Sequence, residues 1–517
     1  MTSERTRCFI ATLLVMAPLG GVHAQGAETP VQINAKELPL VRTMDERFQS
    51  FQIGLSHLTG GETWKSYDEL PKEQAKNFTE VREARGATDL TNRRLNNLTS
   101  ALAPFYLRYS GTTANSVYFQ DNDEPALAKA PEGYTVVLTR QRWKEALEFA
   151  KRTNTTVITS FTSSEGVRDE AHAWTPKMAE PWLAYTRSIG GQIYAAELTN
   201  EPNAPEPPHI PHGIAAEDYA RDFAILRNFM AKADPDLKIA GPGNATMGVP
   251  GAAERLKPSP EAYASATPTP KFDIFSYHFY PTLAQRCAPP TSPAGLSEHK
   301  ALTEEFLARP DKQFQEIKNL RDKYAPNAPI WLTETGGAAC GGLTWQPTFL
   351  DTFRYMDTQA RLAKQGLDAM VTHALISGSN GIIDEKTFQP NASYWAAVLW
   401  RRLMGSQILD AGTIKPGLHV YAHCQRGTPG GVTVLAINLE NKPATLDVAG
   451  PVDLYALTAP ELTSRSVLLN GKSLALSADD MLPAVAPAHI KTKSVTLAPT
   501  SVNFIAVPKA KNPACKG

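Results

Sequence analysis

The sequence predicts an α/β protein: a (β/α)8 barrel of the TIM type with an accessory C-terminal antiparallel β-sandwich. Three observations carry that expectation. Eight strand-like runs follow one another between Ser50 and Ile376, most of them succeeded by a helix-like pattern, and such alternation indicates a parallel barrel rather than an open sheet. After Gly405 the helix patterns stop, and short β-rich runs take over, separated by turns such as Asn470-Gly471. Two glutamates, Glu201 and Glu334, stand at the ends of two of the eight strands, and in such barrels the chemistry lies at the strands' C-terminal ends.

In chain order, Met1 to Ala24 reads as a secretory signal peptide. Arg5 and Arg7 give a positive start, Phe9 to Leu19 an apolar middle, and Val22-His23-Ala24 a small-residue cleavage site. Residues 25–46 hold a strand near Val31–Val41 that joins the β-sandwich. The catalytic barrel takes 47–404 and the sandwich 405–517. The barrel strands are expected at Ser50–His57, Pro104–Gly111, Val157–Ser160, Ile193–Glu201, Leu237–Gly241, Asp273–Tyr280, Ile330–Glu334 and Ala369–Ile376. Between them Trp143, Leu147 and Ala150 share one helix face, and Tyr219, Phe223, Leu226 and Met230 another. Tyr394–Met404 is the closing helix. Short strands follow at Leu418–Ala422, Val432–Asn438, Val452–Leu457, Ser466–Leu469 and Val502–Val507.

The totals narrow the function. At 517 residues, 42% hydrophobic and 20% charged, the composition is that of a soluble globular protein. The 52 basic and 52 acidic residues balance, which gives no global charge for seeking nucleic acid or another polyanion. The apolar run of the signal segment is shorter than the ~20 residues needed to span a bilayer, and no other stretch approaches that length. Of five cysteines, Cys8 leaves with the signal. Cys287, Cys340, Cys424 and Cys515 remain, an even set that an export context lets form disulfides in any of three pairings. No close Cys/His spacing resembles a metal site, and no metal or organic cofactor is expected.

The glutamates carry the chemistry. Ile193-Tyr194-Ala195-Ala196 runs into Glu197-Leu198-Thr199-Asn200-Glu201, and Pro202 stops the strand there. Ile330-Trp331-Leu332-Thr333-Glu334 drives into Thr335-Gly336-Gly337. Two carboxylates on one barrel face are the equipment for hydrolysing a glycosidic bond with retention, at a separation of about 5–5.5 Å. Glu201 suits the acid/base, because repulsion from its partner and partial desolvation favour the protonated form. Glu334 suits the nucleophile. Asn200 is placed to bond the sugar 2-hydroxyl, and Tyr280 to donate to Glu334, with His278 alternating beside it. Arg108, inside a strand, reads equally as a buried ion pair or as a substrate contact.

At these residues the chain resembles the heparanase and β-glucuronidase family of glycoside hydrolases, family 79. Leu107-Arg108-Tyr109-Ser110-Gly111-Thr112 is similar to the family's second-strand motif, Asn200-Glu201-Pro202-Asn203 to its acid/base motif, and Trp331-Leu332-Thr333-Glu334-Thr335 to its nucleophile motif. Phe388-Gln389-Pro390-Asn391, Tyr394-Trp395, Val420-Tyr421-Ala422-His423-Cys424 and the closing Ala514-Cys515 resemble its later segments. The resemblance implies a Cys424–Cys515 disulfide and substrate contacts at Thr112, Asn200, His278 and Tyr280. It also implies a uronate carboxylate held by backbone N–H groups near Cys340 and Gly341. Cys287 and Cys340, both on loops after barrel strands, are left open to a second bridge over the active face. Two positions depart: Asn380 stands where relatives carry a Tyr that touches the carboxylate, and Gly54 where many carry an acid. The short Tyr118–Tyr134 segment predicts one continuous chain, processed only by signal removal.

The expected protein is thus a secreted or periplasmic, monomeric retaining hydrolase of β-linked glucuronic acid in glycans or glycoconjugates. One alternative is a neutral-sugar β-glycosidase on the same scaffold, motivated by Gly54 and Asn380. An alternative of another class is a secreted carbohydrate-binding protein without turnover.

Overall fold

The computed structural model describes residues 30–70, 78–204, 213–249, 251, 255–289, 291–412 and 415–516; the expected signal segment 1–24 lies outside them. Eight parallel strands close a barrel: β1 Gln49–Gly54, β2 Tyr106–Ser110, β3 Thr156–Ser160, β4 Ala195–Glu197, β5 Lys238–Met247, β6 Ile274–Tyr280, β7 Ile330–Thr335 and β8 Ala369–His373. Met370 of β8 pairs with Gln49 of β1, which closes the ring. A helix follows each strand: α1 Arg93–Ser100, α2 Arg140–Arg152, α3 Ala179–Ser188, α4 Ala216–Ala233, α5 Pro260–Ser265, α6 Arg309–Tyr324, α7 Phe349–Gln365 and α8 Ala392–Leu403. The apolar spacing explains which faces they bury. Trp143, Leu147 and Ala150 of α2 and Tyr219, Phe223, Leu226 and Met230 of α4 all lie inside. The Thr139 hydroxyl caps α2 by accepting from Arg142 N–H.

Four strand ends differ from expectation by three residues or more, β8 among them, which stops at His373 rather than Ile376. β1 stops at Gly54, and the turn Ser56–Thr59 takes His57 out of the sheet. β4 ends at Glu197, so Asn200 and Glu201 sit on the loop beyond it. β5 continues past Gly241 to Met247.

The barrel interior is built in layers, because side chains two apart on a strand share a face. Tyr106, Ile158, Ala195, Ile274 and Trp331 form an apolar floor with Ala240 and Ala369, and the Tyr106 and Trp331 ring centroids are 4.4 Å apart. Two residues further along the same strands come Arg108, Ser160, Glu197, Ser276 and Thr333, all buried and all polar. The floor is apolar, and the polar layer lies on the side of the strands' C-terminal ends.

Residues 31–43 and 404–507 form two further sheets. One, in spatial order, joins Leu40–Thr43, Met404–Leu409, Leu418–Gln425, Val432–Asn438, Ser501–Val507, Val452–Thr458, Leu468–Leu469 and Lys472–Ser473, with Ala488–Ile490 against Val452–Thr458. The other joins Val31–Ile33, Ala444–Val448 and Ser494–Leu497. They share a core that includes Ile33, Val420, Val434, Leu446, Val495 and Ile505, which makes a sandwich. The sandwich is locked to α7 by a buried cluster. His419 bonds Asp357 at 2.6 Å and Glu304 at 3.0 Å, and the Tyr421 hydroxyl donates to Asp357 at 2.6 Å. Burial works to lower the His419 pKa, but its bonds to the two carboxylates outweigh that and raise it.

Both disulfides form: Cys424–Cys515 in the sandwich, with Cα atoms 5.2 Å apart, and Cys287–Cys340 between the loops after β6 and β7, with Cα atoms 6.4 Å apart. The first closes a loop of sequence separation 91. Replacing Cys424 and Cys515 together by Ser is expected to destabilise the sandwich by about 4 kcal/mol, read as a lower denaturation midpoint with reduced and oxidised wild type as controls.

Candidate active site

Glu334 lies on β7 and Glu201 on the loop after β4, where its φ is +48°. One oxygen of each carboxylate and one ring nitrogen of His278 lie within 4.8 Å of one another. The placement has a local cause. Between β6 and β7 the register shifts after Tyr277, so His278 pairs directly with Glu334. With period-two alternation, both His278 and Tyr280 then face the glutamates.

Each carboxylate has its own partners. Glu334 accepts from the Tyr280 hydroxyl at 2.7 Å on Oε1 and from Arg108 at 2.8 Å on Oε2. Burial pushes the Glu334 pKa up, but the charges of His373, His278 and Arg108 and the Tyr280 hydrogen bond outweigh it and hold the pKa well below the usual carboxylate range. At neutral pH burial keeps His373 uncharged, so Arg108 and Tyr280 sustain the effect. Tyr280 keeps its proton, because burial and then the neighbouring carboxylates raise its pKa far above the ordinary phenol value. Glu201 Oε1 bonds His278 Nδ1 at 2.9 Å.

Arg108 organises the set. Its Nη1 donates to Glu334 and to Gln52. Its Nη2 reaches Glu197 at 2.7 Å, Asn200 Oδ1 at 2.9 Å and His278 Nε2 at 3.3 Å. A guanidinium only donates, and two orientations follow. His278 must accept at Nε2, so Nδ1 carries the proton given to Glu201. Asn200 must turn Oδ1 to Arg108, which leaves Nδ2 as its donor. Glu197 is satisfied on both oxygens by Arg108, Ser160, Ser276 and Thr333. Burial raises its pKa, but Arg108 above all lowers it on balance. A metal ion fits the distances among Glu201, His278 and Glu334 but not the chemistry. The His278 nitrogen beside the glutamates is Nδ1, which carries a proton because Nε2 accepts from Arg108, and Glu334 is already paired with the Arg108 charge.

Of the residues singled out in the sequence, Asn200, His278 and Tyr280 gather around the pair. Thr112 and Asn380 line a cavity beside it, together with Gly54, Trp64, Arg82 and His373. The Asn380 side chain is occupied within its own loop, accepting from Ser377 Oγ at 2.6 Å and donating to His373 O at 3.5 Å. Gly54 leaves space: an added Cβ there meets nothing nearer than 3.5 Å. Cys340 and Gly341 turn in the left-handed region, at φ +68° and +79°, and Gly341 is packed against Trp64. Sequence reasoning missed Glu197, Gln52 and His373. Gln52 Nε2 bonds His373 Nδ1 at 2.7 Å, which ties β8 to β1 beside Glu334.

Residues 84–360 match the family model described as glycosyl hydrolase family 79, N-terminal domain. The chain is 28% identical over 488 residues to heparanase-like protein 3 of Arabidopsis thaliana, covering 83% of this chain and 86% of that one. It is 25% identical over 474 residues to the hyaluronoglucuronidase of Hirudo nipponia, covering 83% and 92%. It is 24% identical over 461 residues to the baicalin-β-D-glucuronidase of Scutellaria baicalensis, covering 81% and 84%. Among solved structures it superposes on a 4-O-α-L-rhamnosyl-β-D-glucuronidase from Fusarium oxysporum with a TM-score of 0.63 at 14% identity, covering 92% of this chain and 100% of that one. It superposes on a family 51 α-L-arabinofuranosidase from Thermotoga petrophila at 0.62 and 13% identity, covering 92% and 99%. The structural likenesses show the barrel fold, and the family match over more than half the sequence shows the lineage: this chain belongs to glycosyl hydrolase family 79.

Proposed function

We propose that the protein is an exported, monomeric retaining hydrolase that releases β-linked glucuronic acid from a glycan or glycoconjugate. The carrying observation is the carboxylate pair, with oxygens within 4.8 Å of each other. Inverting enzymes need about 6.5–9.5 Å to admit a water. Glu334, ionised by Arg108 and Tyr280, attacks the anomeric carbon. Glu201 gives its proton to the leaving oxygen, so a glycosyl ester forms on Glu334 as the aglycone departs. Glu201 then takes a proton from water, which attacks the same carbon and restores Glu334, with retention overall. Asn200 Nδ2 donates to the sugar 2-hydroxyl, a bond that strengthens toward the transition state. No step calls for a metal or organic cofactor.

The glucuronate assignment draws on the relatives, whose names include hyaluronoglucuronidase and baicalin-β-D-glucuronidase. The N–H groups of Cys340 and Gly341 would hold its carboxylate. Export draws on the sequence of residues 1–24 and on two disulfides, which persist in oxidising compartments. We assign catalysis to 47–404, and to 25–46 with 405–517 the supporting domain. Among the described residues no helix is long and apolar enough to cross a membrane. A second reading, cleavage of a neutral β-glycoside, is favoured by the occupied Asn380 side chain.

The test is nitrophenol release from matched β-glucuronide, β-glucoside, β-galactoside and β-xyloside. Release from the glucuronide at least about 10²-fold faster than from the rest is expected. Release from a neutral sugar alone would sink the glucuronate assignment and leave the scaffold reading standing.

A further inference from the structure

The loop after β6 carries an arginine that pairs with no carboxylate among the described residues. Arg286 lies between two aromatic rings, 4.0 Å from the Tyr67 centroid and 5.5 Å from that of Trp64. Its Nη1 donates to Lys65 O at 2.8 Å, whereas Nε and Nη2 are buried without a hydrogen-bond partner. The two arginines of the neighbouring hairpin, Gly61–Trp64 against Arg82–Arg85, are treated otherwise: Arg85 is paired with Glu69, Glu83 and Glu385, and Arg82, which lies over the same Trp64 ring and lines the cavity, with Glu62. Arg286 is partly buried, and the aromatic faces offset part of the cost of desolvating it. An anion arriving nearby would offset more.

The surroundings say where that anion would be. Arg286 precedes Cys287, whose disulfide partner Cys340 opens a turn in which Cys340, Gly341 and Gly342 all have positive φ. The N–H groups of Cys340 and Gly341 donate to no protein acceptor among the described residues. Trp64 joins the two features. It packs so closely on Gly341 that an added Cβ would come within 2.6 Å of its ring, and it lines the cavity beside His373. Asn380, which also lines the cavity, brings no charge, and its side-chain oxygen is taken by Ser377.

We propose that Arg286, acting across the Trp64 ring, is the charge that selects an anionic sugar in this cavity, and that the anion is the C6 carboxylate of the sugar whose bond is cut. This rests on the glucuronidase reading and goes beyond it, since it assigns selectivity to a residue outside the cavity lining. Arg286 is a positioning charge and touches no reacting atom. For scale, any unit charge about 8 Å from an anion at an effective dielectric of about 20 is worth roughly thirty-fold in affinity.

The experiment compares wild type, Arg286→Met and Arg286→Lys on three nitrophenyl β-glycosides: glucuronide, glucoside and glucoside 6-sulfate. For Arg286→Met, kcat/KM on the glucuronide should fall ten- to fifty-fold, mostly through KM, while the glucoside changes less than about two-fold. Arg286→Lys, which keeps the charge, should recover most of the loss. Equal losses on glucuronide and glucoside, unrecovered by Lys, would make Arg286 a prop for the loop and overturn the proposal. No loss on any substrate would overturn it too. A larger loss on the 6-sulfate than on the glucuronide would overturn the carboxylate in favour of a sulfate ester. Wild type that cleaves only the glucoside would overturn the glucuronidase reading itself, a result distinct from all of these.

Discussion

Glu334→Gln is expected to lower kcat/KM on every substrate by about 10⁴-fold or more while leaving the protein folded. An amide cannot attack the anomeric carbon, so the loss does not depend on the leaving group. The fold tolerates the change because the two partners of Glu334 differ. Arg108 can only donate, so the new amide turns its oxygen to Arg108. Its NH2 then faces Tyr280, whose hydroxyl can rotate to accept. Glu197 still balances the guanidinium. The companion Glu201→Gln behaves differently if the roles are as assigned. Loss of the acid should cost about 10²–10⁴-fold on alkyl or glycan leaving groups, and far less on nitrophenolate in the glycosylation step. Steady-state rates on paired aryl and alkyl uronides separate the two variants, and NMR of the first-formed sugar checks the β anomer. A flat leaving-group dependence for Glu201→Gln would exchange or remove the roles.

The sequence disclosed the barrel because each strand is an apolar run of ordinary length and the helices between them keep their spacing. The glutamates were visible because strand exits are punctuated: Pro202 follows one, Gly336 and Gly337 the other. What stayed hidden is the layer beneath. Glu197 and Gln52 sit within strands, and nothing local marks them as inward. The available signal was compositional. Strands of a parallel barrel, covered on both sides, should be nearly continuous in apolar residues. Arg108, Ser160, Glu197, Ser276 and Thr333 break that rule at one height of the barrel, two residues above Tyr106, Ile158, Ala195, Ile274 and Trp331. His57 was misplaced because the apolar run continues past Gly54 to Leu55 and hides the turn at Ser56. Nothing local marks His373, because the expected strand runs past it to Ile376. Its bond to Gln52 depends on β8 pairing with β1, a closure across the whole length of the barrel.

Arg108→Met should combine a stability loss with a displaced pH profile, because one guanidinium serves both. Glu197 and Glu334 are nearly fully buried, with side chains 4% and 8% exposed, and both are paired with Arg108. Removing the cation leaves two buried anions facing each other across the barrel, an arrangement that costs about 3–5 kcal/mol. The sign of its pH dependence follows from the depressed pKa of both acids. A carboxyl held below its unfolded value contributes stability above that value and loses it as pH falls through the folded pKa. The denaturation midpoints of wild type and variant should therefore differ most at neutral pH and converge below about pH 4. Activity should move the other way along the axis. Without Arg108 the Glu334 pKa rises, so the acid limb of kcat/KM shifts to higher pH, and the height of the profile falls as His278 and Asn200 lose the donor that orients them. Adding Glu197→Gln to Arg108→Met should return part of the stability, since one unpaired anion goes, but not the acid limb, since Glu334 still lacks its cation. If the double variant restored both, Arg108 would act only through Glu197. If neither the midpoint nor the limb moved in the single variant, water would have to reach the barrel's polar layer, against the burial of every group in it.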